Sequence, residues 1–124
     1  MVLVDTSVWI DHFRNADERL AALLTRNEVL AHPFVIGELA LGSIAKRAEV
    51  LRYLGNLPAA LVATHDEVMI YIARHKLEAA GLGYVDAALL AAAALTPHAG
   101  LWSRDKGLRA AAVRCGVSPT VDLT

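Results

Sequence analysis

The sequence predicts an α/β sandwich around a mainly parallel sheet. Three observations carry this reading. Short apolar runs alternate along the chain with segments of helical spacing, the pattern of βα units. The short runs show no polar alternation, as expected of strands covered on both faces. The segments between them draw on 23 alanines and 19 leucines among 124 residues, a composition that favours helix.

Residues 1–4 read as a strand that ends at Asp5. Asp5, Thr6 and Ser7 all suit an N-cap, so a helix begins there and carries Trp9, Ile10 and Phe13. Residues 15–17 break it, and a second helix over about 18–26 places Leu20, Leu23 and Leu24 on one face. Residues 29–31 form a second strand after the turn residue Asn27. Pro33 fits the first turn of the next helix, which ends near Gly42-Ser43. Another helix covers about 45–54 and is closed by Gly55-Asn56. Pro58 marks a turn, residues 61–63 a third strand, and Asp66 opens a helix to about Ala80. Gly81-Leu82-Gly83 breaks the chain before a helix over about 84–95, which stops short of Pro97. Residues 100–102 form a fourth strand. Ser103 or Asp105 caps a helix to about Arg114, stopped by Gly116, and residues 120–121 add an edge strand.

Composition narrows the function classes. Hydrophobic residues make up 56% and charged residues 20%, which excludes a disordered chain, and residues 1–124 are expected to form one domain. A formal net charge of −1 excludes a globally basic nucleic-acid coat, though not a local basic patch. The lone Cys115 cannot form an internal disulfide or a cysteine-rich zinc site, so a reducing, cytoplasmic setting fits best. The longest apolar run, residues 87–95, is about half what a bilayer span requires, and no membrane association is expected. The five histidines show no pair at helical metal-ligand spacing.

Four of the thirteen carboxylates stand in the wrong surroundings. Asp5 ends Val2-Leu3-Val4. Glu38 interrupts Phe34-Val35-Ile36-Gly37 and Leu39-Ala40-Leu41. Asp86 precedes the long apolar run, and Asp105 follows Leu101-Trp102-Ser103-Arg104. Residues three and four apart share a helix face. Glu38 therefore lies with Phe34, Val35, Leu41 and Gly42, and Asp86 with Leu89 and Leu90, on stripes expected to face the core. An unpaired ionised carboxylate in a core costs several kcal/mol, and a domain stable by roughly 5–15 kcal/mol cannot carry several of them. Asp5 and Asp105 each follow a predicted strand, and the carboxyl ends of parallel strands form the ligand crevice of open α/β sheets. If those strands are neighbours, the two acids open into one crevice, where Glu38 and Asp86 can join them. Few counter-charges are nearby, so a hard divalent cation, Mg²⁺ or Mn²⁺, is the economical partner for such oxygen-only ligands. That site suits phosphodiester hydrolysis by metal-activated water. Thr6 and Ser103 are placed to orient a carboxylate or a water from behind. Arg104 and Lys106 are candidate contacts to RNA phosphates.

These segments resemble a known family. Val2-Leu3-Val4-Asp5-Thr6-Ser7-Val8-Trp9-Ile10-Asp11 is similar to the opening motif of PIN-domain ribonucleases, and more narrowly of VapC toxins. His32-Pro33-Phe34-Val35-Ile36-Gly37-Glu38-Leu39-Ala40-Leu41-Gly42, Gly81-Leu82-Gly83-Tyr84-Val85-Asp86-Ala87 and Leu101-Trp102-Ser103-Arg104-Asp105-Lys106 resemble the second, third and fourth acidic segments. Where the family more often has Thr, this chain has Ser103, which keeps the hydroxyl. The resemblance covers essentially the whole chain. It implies a three-layer α/β/α sandwich and Mg²⁺- or Mn²⁺-dependent endonucleolytic cleavage of RNA. It also implies neutralisation by a cognate VapB-type antitoxin and a toxin homodimer. By position it assigns the acidic site to Asp5, Glu38, Asp86 and Asp105, with Asp5 and Asp86 as direct metal ligands.

Other readings stand beside it. Asp5 and Asp105 can be helix caps, and Asp86 can serve the dipole of its helix. A catalytically silent module that binds RNA or protein is the alternative function. A phosphatase-like use of Asp5 lacks the second Asp two residues on. His32 is a candidate for the pocket mouth, and the apolar helices between Pro33 and Leu54 are candidates for a partner groove or dimer face.

Overall fold

The computed structural model describes residues 1–121 and 123. Its centre is strand β1 (Val2–Val4), flanked by β2 (Val29–Leu30) and β3 (Gly100–Trp102) in the order β2-β1-β3. Both pairings are parallel, with Leu3 opposite Leu30 and Leu101, and Val4 opposite Trp102. Parallel neighbours require long crossovers. Helices α1 (Thr6–Arg14) and α2 (Glu18–Thr25) make the first. Helices α3 (Pro33–Ala40), α4 (Arg47–Gly55), α5 (His65–Arg74) and α6 (Tyr84–Leu95) make the second, and α7 (Lys106–Arg114) follows β3. Every strand residue is buried, so both faces of the sheet are covered and the architecture is an α/β sandwich.

Local chemistry explains most boundaries. Asp5 caps α1 by accepting the Thr6 amide, and Asp17 caps α2 by accepting the Arg19 and Leu20 amides. His32, with Pro33 next, caps α3 through Nδ1, which accepts the Phe34 N–H at 3.0 Å. This residue is buried, so it does not stand at a pocket mouth, and burial lowers its pKa. Helix α6 buries every residue from 87 to 93, the fate of a run that is apolar on all sides.

Three expectations need correction. Residues 61–63 are not a strand. The chain meets the sheet earlier, in one parallel bridge between Ala31 and Ala59, where Ala31 N–H donates to the Pro58 carbonyl at 2.8 Å. Pro58 contributes the one backbone hydrogen-bonding group that proline retains, and Leu61 and Val62 are left exposed. Helix α5 starts at a capping box of Thr64 and Glu67 rather than at Asp66. It ends at Arg74, before the left-handed residues Lys76 and Ala79 reverse the chain and bury Leu77. Residues 120–121 form no strand. The outer edge of β3 is met instead at Val117, whose carbonyl accepts the Leu101 N–H at 2.7 Å.

The segment beyond Val117 runs tightly over Gly100, where a Cβ would lie 2.6 Å from the Pro119 Cα. Gly100→Ala is therefore expected to lower the unfolding free energy by about 1–3 kcal/mol, measured by urea denaturation. A wild-type midpoint would show that the backbone at Pro119 yields without cost.

Candidate functional site

Strands β1 and β3 end level, and the Asp5 N–H donates to the Trp102 carbonyl at 2.9 Å. The residues that follow the two strands therefore emerge side by side, as the neighbouring-strand condition required. Asp5 is buried, and its carboxylate is held by donors alone. Oδ1 accepts the Thr6 N–H at 2.8 Å, while Oδ2 accepts Ser103 Oγ at 2.7 Å and Ser7 Oγ at 3.0 Å.

Ser7 was not among the site residues expected from the sequence. The signal was present: it lies two residues past Asp5 in the first helical turn, within reach of the same carboxylate. Its oxygen also accepts the Arg104 N–H at 3.0 Å, just as Ser103 Oγ accepts the Asp105 N–H at 3.0 Å. The two hydroxyls thus tie the turn after β3 to the start of α1.

Glu38 does not face the core. It is exposed on α3, and Thr6 Oγ1 donates to its Oε1 at 2.6 Å. Val35 and Leu39 form the buried face, whereas Phe34 is 39% and Leu41 90% exposed. Because α3 is apolar nearly all round, spacing alone could not choose which stripe turns inward.

Asp86 lies in the first turn of α6, half-buried, with Oδ2 accepting the Gly83 N–H at 3.2 Å. Burial pushes its carboxyl above the ordinary 3.8. The Gly83 hydrogen bond opposes that shift, and the negative charges of Asp5, Asp105 and Glu38 add to it. All four acids thus share one electrostatic neighbourhood. Asp105 is exposed and caps α7, with Oδ1 accepting the Leu108 N–H at 2.9 Å.

The capping roles of Asp5, Asp86 and Asp105 are therefore real, and they coexist with convergence. Backbone groups occupy one oxygen of Asp86 and one of Asp105. Among the described residues, Asp86 Oδ1, Asp105 Oδ2 and Glu38 Oε2 accept no hydrogen bond.

Among the described residues none of the four acids pairs with a basic side chain. The nearby Arg104 binds elsewhere: Nη2 lies 2.7 Å from Asp17 Oδ2, and Nε lies 2.7 Å from Asp11 Oδ2 as an ion pair outside hydrogen-bond angles. In this structure the guanidinium is thus turned away from the acids and held by two carboxylates. Asp17 is the firmer partner. Burial opposes its ionisation, but hydrogen bonds from Arg19, the Leu20 amide and Arg104 outweigh it and bring the carboxyl down to about 2. Lys106 is exposed in the first turn of α7 and makes no ion pair among the described residues.

The donor set can be tested against a hard cation. Among the described residues, no three His, Cys, Asp or Glu side chains are drawn together closely enough to chelate an ion by themselves. An oxygen donor set of one or two carboxylates, completed by waters and substrate oxygens, fits a hard divalent cation. Unpaired, mutually repelling oxygens suit such an ion.

Comparison with known proteins shows the family of the chain. The PIN domain family model matches residues 2–114. Proteins named Ribonuclease VapC32, from the Oshkosh and H37Rv strains of Mycobacterium tuberculosis, are each 54% identical over 118 residues, covering 95% of this chain and 95% of the relative. The chain belongs to the PIN-domain family, on its VapC branch.

Proposed function

We propose that this protein is a divalent-ion-dependent endoribonuclease that hydrolyses RNA phosphodiester bonds and serves as the toxin of a toxin–antitoxin pair. One observation carries the reading: Ser7 and Ser103 hold Asp5 at the end of β1 while the adjacent Thr6 holds Glu38 of α3, so acids from separate elements meet at one place, beside the half-buried Asp86. A binding module gains nothing from four acids held in mutual repulsion, whereas a nuclease uses them.

Asp5 and Asp86 are the residues to hold Mg²⁺ or Mn²⁺, with Glu38 and Asp105 completing the acidic set. When bound, such an ion lowers the pKa of a water and offsets charge on the scissile phosphate. The chain's own residues do the rest. Ser7 and Ser103 fix Asp5 Oδ2, and Thr6 fixes Glu38 Oε1, so neither carboxylate must be ordered at the moment of reaction. Glu38 Oε2 is the oxygen available to take a proton from water. Lys106 remains the candidate phosphate contact. The RNA is expected to be selected by shape and unpaired bases.

The proposed partner is a cognate VapB-type antitoxin. A cavity of about 330 Å³ between α1 and the α3–α4 region, lined by Ile10, Phe13, Leu39 and Ile44 and bordered by Glu38, suits an apolar antitoxin segment. A homodimer and a cytoplasmic location complete the proposal. Among the described residues, no helix is long and apolar enough to cross a membrane.

The decisive test is to incubate the purified protein with total cellular RNA, with and without Mn²⁺, and sequence the new ends. Defined new ends that need the ion are expected. RNA binding without new ends would favour a silent module instead.

A further inference from the structure

We infer that Arg104 is a positioning residue whose guanidinium ties the turn after β3 to α1 and α2, and so fixes Ser103 and Asp105 against Asp5. This rests on the ribonuclease reading and adds to it a residue that touches none of the four acids. The side chain reaches away from them, to Asp11 on α1 and to Asp17 at the start of α2, each at 2.7 Å. Its guanidinium carbon also lies 5.8 Å from the centre of the Trp102 ring.

Its backbone points the other way: Arg104 N–H donates to Ser7 Oγ, which in turn donates to Asp5 Oδ2. The residues on either side are both in the site, Ser103 through its 2.7 Å bond to Asp5 and Asp105 as an acid. One residue therefore couples two helices to the spacing between Asp5 and Asp105.

The anchor is stiff. Asp17 is mostly buried and already bound to the Arg19 and Leu20 amides, so it cannot follow a moving turn. Asp11 is the softer arm, with a side chain 48% exposed. Displacing a reacting group by about 1 Å costs on the order of 10²-fold in rate, so a modest slip of this turn is enough to slow cleavage.

The test uses a labelled single-stranded RNA spanning a cleavage site mapped with total RNA, and four proteins: wild type, Arg104→Ala, Arg104→Lys and Asp11→Asn. A positioning role predicts that Arg104→Ala lowers kcat by about 10- to 100-fold with KM within about twofold. Arg104→Lys recovers part of that loss, and Asp11→Asn, which keeps the guanidinium, lowers kcat several-fold. Binding of the same RNA in EDTA, followed by fluorescence anisotropy, keeps its affinity and salt slope in all three variants.

A phosphate contact predicts the reverse, and its signature overturns the inference. Arg104→Ala would then raise KM and reduce the salt slope by about 0.7, and Asp11→Asn, by removing one of the two carboxylates that hold the guanidinium, would tighten RNA binding. If Arg104→Ala does not fold, Asp11→Asn decides, because it changes an exposed side chain and leaves the Asp17 pair in place. Wild-type kcat in a folded Asp11→Asn protein would also overturn the inference. A wild-type protein that leaves the RNA intact fails at the control and removes the ribonuclease reading together with the Arg104 role.

Discussion

Asp5→Asn is expected to reduce RNA cleavage by about 10³-fold or more while the protein stays folded. The loss corresponds to about 4 kcal/mol of transition-state stabilisation, within the several kcal/mol that an ion's charge supplies to a reacting phosphate. Asparagine preserves shape and can still accept the Thr6 amide through its oxygen, and Asn and Asp are near-equal as N-caps. The other position becomes an amide donor facing Ser103 and Ser7, whose hydroxyls can rotate to accept from it. Stability is therefore expected within about 1 kcal/mol of wild type, and removing one charge from a repelling group offsets part of any loss. Cleavage and the thermal midpoint should be measured on the same preparation. Near-wild-type cleavage by a folded Asp5→Asn protein would remove Asp5 from the mechanism.

The legible and illegible parts of this molecule divide along physical lines. Strands β1 and β3 were readable because an all-apolar triplet closed by a capping residue fits few other structures. Their adjacency was not readable, since pairing is a tertiary property, yet it decides that Asp5 and Ser103 meet. The strand placed at residues 61–63 shows the limit: apolar content marks a segment that can pair but not the residue that does, and Ala59 does so in one bridge.

The four acids stood out because charge in an apolar run costs free energy that something must offset. The offset at Glu38 differed from expectation, in that the residue is solvated and bonded to Thr6 rather than buried and neutralised. The ion pairs of Arg104 were not legible, because sequence places a cation beside Asp105 but cannot show where a long side chain ends. Asp11 and Asp17 are six residues apart and carry no mark that they share a partner.

Chelation of divalent ions is expected to take cleavage to background, a loss of about 10³-fold or more, and to alter stability in a way that titration of Asp86 explains. The folded state holds the Asp86 proton more tightly than the unfolded chain, since burial and three neighbouring charges raise its pKa. That group therefore contributes stability fully below its ordinary 3.8, and the contribution is lost as pH rises through the raised native value. His32 acts oppositely. Its pKa is lowered by burial, so its contribution is present above 6.5 and lost as pH falls through the native value. Raw stability against pH thus mixes two signs, and the informative quantity is the difference that an ion makes. An ion at tenfold its dissociation constant stabilises by about 1.4 kcal/mol, which for a chain of this size raises the midpoint by several degrees at pH 7. As pH falls toward the native value of Asp86 the gain should shrink, because protonated carboxyls no longer bind the ion. Asp86→Asn should cleave no RNA, lose most of the ion-induced gain, and in EDTA at pH 7 unfold at a higher temperature than wild type, since it removes a desolvated and repelled charge. A wild-type midpoint that ignores Mg²⁺ and Mn²⁺ across pH 4–8, together with cleavage that persists in EDTA, would show that these carboxylates do not work through a cation.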